Sequence, residues 1–227
     1  MSKFEIKQEE LFNQFPLWEV KVDNIPFDRE LLEKPELWTD NSWVDGKVMN
    51  YKPQRKDYKP GSSSIIDEWF NNFKTDNNIL DLIIDNFEKS GNDRFFYREY
   101  PVEDKGITFR DFITKRCEVH FRIMRDEPGF KMNRHFDNRA VFGNIFFNLV
   151  ENENVSTQFF NTFATGYKQV LNRETNVMYL APNTKGEGVW FMNTPLMLHT
   201  VDNNTDQNRY VVNAVVLFPY LTHINDL

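Results

Sequence analysis

The sequence has little cysteine, little histidine and no long apolar segment. Cys117 is the one cysteine among 227 residues, so no disulfide can form within the chain, and this composition is typical of a reducing compartment. No run of 18 apolar residues occurs, and the first residues, "MSKFEIKQEELFNQF", lack the apolar stretch of a signal peptide. We therefore expect a soluble, cytoplasmic protein without a membrane partner.

Positive charge is also in short supply. The 27 lysines and arginines stand against 34 aspartates and glutamates, which gives a net charge of −7. A chain of this balance lacks the basic footprint of a nucleic-acid-binding protein, which argues against a nucleic-acid partner. Hydrophobic residues at 40% and charged residues at 27% are typical of a globular domain.

The first half of the chain carries helical patterns. In "SSSIIDEWFNNFK", apolar residues recur at helical spacing and Ser64 is predicted as the N-cap. A second helix is predicted in "NILDLIIDNFEKSG", ending at Gly91. The stretch "NYKPQRKDYKPGSSS" is rich in Pro, Gly, Ser and charge, which predicts a long surface loop. Residues 1–115 are thus expected to form a helical elaboration packed on a core.

From about residue 117 the pattern changes to short strands. "CEVHFRIMR", "AVFGNIFFNLV", "GVWFMN" and "RYVVNAVVLF" are among about eight such segments separated by turn residues. This spacing predicts an antiparallel sandwich or barrel over residues 116–227. Helices followed by strands give an α+β chain that forms a single compact domain overall.

Two histidines and one aspartate form a candidate metal site. In "NRHFDN", His135 and Asp137 are two residues apart, so on a strand their side chains would share one face. His199, which opens the strand "LHTV", is a candidate third ligand, whereas His120 lies within another strand and His223 in the C-terminal tail. Two histidines and one carboxylate with three open positions are the ligands of non-haem Fe(II) oxygenases.

Arg209 is a candidate anchor for a co-substrate. 2-Oxoglutarate would occupy two of the open metal positions, and its far carboxylate would need a fixed cation. The planar fork of arginine suits a carboxylate. The intervening "DNNTDQN" is turn-forming, so we expect "LHTV" and "RYVVNAVV" to pair as a hairpin that brings Arg209 beside His199.

These segments carry a family resemblance. "RHFDN", "GVWFMN" and "HTVDNNTDQNR" resemble the Fe(II)/2-oxoglutarate-dependent dioxygenases, in their prolyl-hydroxylase-like or aspartyl/asparaginyl-hydroxylase-like branch. The resemblance covers roughly residues 117–220 and implies a double-stranded β-helix (jelly-roll, cupin-like) core. It implies His135, Asp137 and His199 as catalytic iron ligands and Arg209 as the 2-oxoglutarate-binding residue. The implied reaction consumes O2 and 2-oxoglutarate, releases succinate and CO2, and hydroxylates an unactivated C–H bond.

The resemblance leaves the substrate open. The tyrosine with which many prolyl hydroxylases hold 2-oxoglutarate has no clear equivalent, and Asn144, Asn148 and Arg122 are candidates to replace it. A protein side chain (proline, asparagine or aspartate) is favoured slightly over a free amino acid or other small metabolite. Residues 47–64 and 150–176 are the expected substrate selectors. The sequence does not indicate an oligomeric state.

Two alternatives belong to other classes. A cupin-like isomerase or lyase would use a similar barrel, but such sites usually have more histidines and a glutamate, and Arg209 would have no assigned partner. A non-catalytic barrel that binds a partner would carry the motif by chance. The presence of three ligands and an anchor favours the oxygenase.

Overall fold

The computed structural model describes residues 2–7, 15–40, 43–44, 47–48, 54–99, 106–138, 140–160, 176–194 and 196–217. Within these ranges the N-terminal strands are β1 (Phe4–Ile6), β2 (Leu17–Val22), β3 (Trp38–Thr39), β4 (Trp43–Val44), β5 (Lys47–Val48) and β6 (Arg55–Tyr58). The helices are α1 (Arg29–Leu32), α2 (Ser64–Asp76), α3 (Ile79–Ser90), α4 (Asp93–Glu99) and α5 (Phe109–Arg116), with a 3-10 turn at Pro35–Leu37. The later strands are β7 (Glu118–Asp126), β8 (Lys131–His135), β9 (Val141–Asn148), β10 (Thr157–Phe160), β11 (Val177–Leu180), β12 (Glu187–Met192), β13 (His199–Asp202) and β14 (Arg209–Leu217).

The strands form two main antiparallel sheets in the described part of the chain. The larger has the order β1-β2-β12-β9-β14-β7-β6-β3, and the smaller has the order β11-β10-β13-β8. Phe146 and Phe191 of the larger sheet share an apolar cluster with Phe159 of the smaller one, so the two sheets pack face to face. The predicted α+β class with a jelly-roll, double-stranded β-helix core braced by N-terminal helices is confirmed.

Strand β9 is buried on both of its faces. Phe146 points between the sheets, whereas the next residue, Phe147, joins the cluster formed with the helices. Phe147 contacts Phe73 of α2 with ring centroids 5.4 Å apart. This double burial explains why the segment is a continuous apolar run rather than an alternating one.

The two predicted helices are present and cover the outer face of the larger sheet. The N-cap of α2 is Ser63 and not Ser64, which is already helical, and Ser63 makes no side-chain capping bond. Ile65 is 53% exposed because its position falls on the solvent side of α2. Helix α3 is capped by the side chain of Asn78 and ends at Gly91, whose φ of 64° suits glycine.

The segment predicted as a long surface loop contains a strand. β6 pairs with β7 on one side and with the edge strand β3 on the other. Its charged residues gave no apolar pattern, but Arg55 and Asp57 bond to Asp126 and Arg122 across the strand pair. The ion pairs therefore allow polar residues to occupy a partly buried strand. Four N-terminal strands, β1, β2, β3 and β6, belong to the larger sheet.

The predicted hairpin between β13 and β14 is wrong. β13 pairs with β10 and β8 in the smaller sheet, whereas β14 pairs with β7 and β9 in the larger one. The connection crosses between the sheets, and the buried Asn203 stabilises it by donating to the carbonyl oxygens of Asp126 and Gln207. Arg209 consequently faces His199 across the cavity and not along a shared ladder.

Candidate metal centre and its cavity

The two candidate histidine ligands lie opposite one another on neighbouring strands. His135 ends β8 and His199 begins β13, and they are direct partners in that antiparallel pair. Side chains of such partners emerge on the same face, and the two ring centroids are 4.3 Å apart. Phe191 and Phe159 lie beside His199, with ring centroids 5.0 Å and 5.8 Å from its own.

Asp137 completes a compact cluster. It lies just beyond the end of β8, in the connection to β9, so the shared strand face predicted for His135 and Asp137 is not what unites them. Asp137 Oδ1 is 3.7 Å from Nε2 of His135 and 4.0 Å from Nε2 of His199. One ligand atom of each residue lies within 4.8 Å of the others, which is a suitable arrangement for enclosing one ion.

Backbone carbonyl groups orient both rings. Nδ1–H of His135 donates to the carbonyl oxygen of Asn133 over 2.8 Å, and Nδ1–H of His199 donates to that of Met197 over 2.9 Å. In its neutral form each ring would therefore present Nε2 as the unprotonated nitrogen towards Asp137, which is the tautomer that a metal ligand needs. Burial lowers the pKa of His135, and the neighbouring His199 lowers it further. A neutral ring is favoured at neutral pH.

Two asparagines hold the aspartate. Nδ2 of Asn144 donates to Oδ2 of Asp137 over 2.6 Å. Nδ2 of Asn193 contacts the carbonyl oxygens of Asp137, Asn138 and Val141 at 3.3, 3.0 and 3.0 Å. The first amide orients the carboxylate, and the second fixes the backbone of the segment that carries it.

Arg209 lines the same cavity as the three candidate ligands. The cavity lies between the two sheets and has a volume of about 330 Å³. Arg209 is only 4% exposed; it donates to Asp126 Oδ2 over 3.0 Å and to Thr157 Oγ1 over 3.2 Å. Its Nε is buried and has no hydrogen-bond partner among the described residues. Nη1 and Nη2 each use one of their two N–H groups in these two bonds, so the guanidinium retains donors.

A second arginine shares the carboxylate of Asp126. Arg55 of β6 donates from Nε and Nη2 to the two oxygens of Asp126, over 2.6 and 3.0 Å, and also lines the cavity. Burial would raise the pKa of Asp126, but Arg55 and Arg209 outweigh it and hold the pKa below its ordinary value. Two arginines and one carboxylate leave one net positive charge, which suits an anionic ligand group.

The other candidate residues have different environments. Arg122 lines the cavity and is paired with Asp57 over 2.7 Å. Asn148 is buried and donates to the carbonyl oxygens of Pro182 and Glu187, which is a structural role. His120 lines the cavity and is 2.8 Å from Glu118.

Parts of the predicted selectors lie outside the described residues. These are residues 49–53 and 161–175, and His223 also lies outside them. For residues 47–48 the structure describes the backbone alone. Sequence reasoning missed Arg55 and Asp126, because only the fold brings residues this far apart in the chain together. None of the described helices is long and apolar enough to cross a membrane.

Comparison with known proteins gives structural matches only. No protein-family model matches the chain, and no curated protein matches it. The chain is similar to solved structures that include a non-haem α-ketoglutarate-dependent epimerase and several prolyl hydroxylases. The epimerase SnoN from nogalamycin biosynthesis matches at 14% identity over 45% of this chain and 48% of its own, with a TM-score of 0.36. This chain thus spans about half the length of the first such relative.

Two prolyl hydroxylases match over more of the chain. A prolyl hydroxylase from Trichoplax adhaerens, solved with a hypoxia-inducible-factor peptide, matches at 9% identity over 83% of this chain and 74% of its own, with a TM-score of 0.46. A viral collagen prolyl hydroxylase from Paramecium Bursaria Chlorella virus-1 matches at 12% identity over 72% of this chain and 78% of its own, with a TM-score of 0.37. The chemistry of the site therefore has to be judged from this chain's own side chains.

Proposed function

We propose that this chain is an Fe(II)- and 2-oxoglutarate-dependent oxygenase. One observation carries the proposal: His135, Asp137 and His199 converge in the cavity that also contains the buried Arg209. Two imidazoles and one carboxylate suit Fe(II) and leave open positions for further ligands. A buried arginine suits a carboxylate at a fixed distance from the ion. An intracellular, reducing location would keep the iron in the Fe(II) state.

The protein's residues would divide the work between the two ends of the cavity. His135, Asp137 and His199 would hold the iron, which when bound supplies activation of O2 for oxidation of an unactivated C–H bond, with 2-oxoglutarate leaving as succinate and CO2. Arg209 would receive the far carboxylate of 2-oxoglutarate through the N–H groups of Nη1 and Nη2 that Asp126 and Thr157 do not use, in net positive surroundings. Apolar residues, among them Phe191 and Val201, line the cavity and limit access of water.

We infer a protein side chain or a small amino-acid-like molecule as the substrate. The resemblance of "RHFDN" and "HTVDNNTDQNR" to prolyl and aspartyl/asparaginyl hydroxylases supports this choice, and so does an overall negative charge that disfavours nucleic acid. A cupin-like isomerase or lyase would leave Arg209 without a ligand, and a non-catalytic barrel would not require the three ligand atoms to converge. Incorporation of one oxygen atom into a candidate peptide or amino acid, followed by mass spectrometry, tests this class of substrate.

Anaerobic reconstitution tests the central proposal. Wild-type protein with Fe(II) and 2-oxoglutarate is expected to show a weak visible charge-transfer band, and admission of O2 is expected to yield succinate. Arg209→Ala should weaken 2-oxoglutarate binding about 10- to 100-fold, because hydrogen bonds to a charged group contribute about 1.5–3 kcal/mol.

The matched control is Arg110→Ala. Arg110 is also paired with a carboxylate, that of Glu88, but on the surface of α5. This variant should bind 2-oxoglutarate as the wild type does. Absence of both the band and succinate from the wild-type protein would favour the non-catalytic alternative. Unchanged 2-oxoglutarate binding by a folded Arg209→Ala variant would remove Arg209 from the proposal.

A further inference from the structure

The two carboxylate oxygens of Asp137 face different partners. Oδ1 lies towards Nε2 of His135 and Nε2 of His199, at 3.7 and 4.0 Å. Oδ2 accepts the 2.6 Å hydrogen bond from Asn144. One oxygen is therefore directed at the position that a metal ion would occupy, and the other is already engaged by the protein.

The asparagine amides form a chain of hydrogen bonds with a fixed direction. An ionised carboxylate only accepts hydrogen bonds, so Asn144 must present its NH2 group to Asp137. Oδ1 of Asn144 then accepts from Nδ2 of Asn213 over 3.3 Å, and the same Nδ2 donates to the carbonyl oxygen of Ile145 over 3.2 Å. Because both groups facing Asn213 are acceptors, its orientation is determined as well.

The supporting residues sit on rigid elements. Asn144 is on β9 and only 8% exposed, and Asn213 is on the adjacent β14. Backbone ladders hold these strands, so strand pairing does not require the side-chain bonds between the two asparagines. Asn193 independently fixes the backbone around Asp137. Asn144 is thus left to set the rotation of the carboxylate group itself.

From this geometry we propose that Asn144, oriented by Asn213, restricts Asp137 to coordination through one oxygen. The inference rests on the proposed metal site and deepens it. A divalent ion of octahedral preference would receive three protein ligands and keep three open positions. Two-oxygen coordination by Asp137 would fill a fourth position, and a chelating 2-oxo acid together with O2 would no longer fit. Asn144 is a positioning residue that preserves the number of open positions.

Binding of Mn(II) to the purified full chain tests this inference without turnover. The number of water molecules on the ion is read from water-proton relaxation per bound Mn(II), and affinity is read from calorimetry. The wild type should hold three waters. Asn144→Leu keeps a branched Cγ but removes both polar atoms, so Asp137 can turn both oxygens to the ion. Relaxation per ion should then fall by about one third, from three waters to two, and the dissociation constant should rise about 10- to 100-fold.

A control and a second variant make the result decisive. Asn72→Leu makes the same substitution at an exposed position of α2, outside the cavity, and it should match the wild type in both measurements. Asn213→Leu removes the donor that orients Asn144 and should shift relaxation in the same direction by a smaller amount. This variant decides the question if Asn144→Leu does not fold.

Three outcomes would overturn the inference. Unchanged relaxation per bound ion in a folded Asn144→Leu variant, or in Asn213→Leu where that variant decides, would show that Asn144 does not set the coordination. A wild type with fewer than three waters would contradict one-oxygen coordination while leaving the metal site intact. A wild type that binds no Mn(II) and no Fe(II) would overturn both this inference and the proposed function.

Discussion

The two ends of the cavity differ in how they are exposed and charged. At the metal end the side chains of His135, Asp137 and His199 are 31%, 16% and 10% exposed. At the arginine end those of Arg55, Arg209 and Asp126 are 12%, 4% and 0% exposed. An ion bound as proposed would enter and leave through the first end, whereas the second has permanent charges that are paired without a ligand. In the proposed function both ends bind a ligand, but at the arginine end Asp126 already holds both guanidinium groups in place.

The ends also differ in how the chain assembles them. Each histidine at the metal end is oriented by the carbonyl group two residues before it, which is a local interaction. The arginine end joins Arg55, Asp126 and Arg209 from three strands of one sheet. Its stability should therefore be coupled to the whole sheet, and damage there should spread further.

Asp126→Asn should give the largest loss of stability. The substitution leaves the buried guanidinium of Arg209 and the partly buried one of Arg55 without the carboxylate between them, and breaking a buried pair costs about 3–5 kcal/mol. Urea denaturation at neutral pH measures this loss, and Mn(II) affinity of the folded variant should remain that of the wild type. Because the arginines lower the pKa of Asp126, the stabilising contribution is present above about pH 4 and disappears as pH falls through the folded-state pKa.

Asp57→Asn is the control for the stability loss expected of Asp126→Asn. Asp57 is also buried but bonds to Arg122 alone. Burial raises the pKa of Asp57 and Arg122 only partly offsets it, so the carboxylate is less well stabilised than that of Asp126. A smaller loss than for Asp126→Asn is expected. An equal or larger loss would contradict the special role given to the shared carboxylate.

His199→Ala should have the opposite effect to Asp126→Asn, with a large loss of Mn(II) affinity and a small loss of stability. It removes one of three proposed ligands, so Mn(II) affinity should fall by more than the roughly 10- to 100-fold typical of an outer partner. The unfolding free energy should fall by only about 1–2 kcal/mol, a usual value for truncation of a buried side chain. Calorimetry and urea denaturation on the same preparation separate the two effects. Retained Mn(II) affinity would exclude His199 as a ligand.

Thr157→Val should have the smallest effect. Thr157 Oγ1 accepts from Arg209, and the isosteric valine removes that acceptor while Asp126 remains in place. A loss of about 1 kcal/mol, or roughly fivefold in 2-oxoglutarate affinity, is expected from one hydrogen bond. Titration of the charge-transfer band measures it. An effect as large as that of Arg209→Ala would mean that Thr157 contacts the ligand directly.

Local patterns predicted much of the architecture. Turn residues between short apolar runs located the strands of the core, and helical spacing located α2 and α3, because these signals depend on neighbours in the sequence. The residues singled out for chemistry, His135, Asp137, His199 and Arg209, line one cavity in the folded chain. Their roles as ligands and anchor remain predictions.

The sequence did not predict which sheet each strand joins or which buried polar residues pair with one another. A short polar segment joins β13 and β14, and it predicted a hairpin. The spacing of apolar residues within a strand does not indicate which sheet the strand joins. β6 has no apolar pattern because its charges are neutralised by partners about 70 residues away. The bond between Asn213 and Asn144 likewise depends on two strands meeting.

The position of Arg55 has a consequence for any attempt to isolate a smaller working unit. A fragment that starts at residue 116 would retain the proposed metal ligands but would leave Asp126 with one guanidinium instead of two. It would also lack Trp18 and Phe87, whose rings pack against that of Trp190. Residues 116–227 alone should therefore give an insoluble or poorly folded product. The first half of the chain contributes strands to the larger sheet and is part of the core.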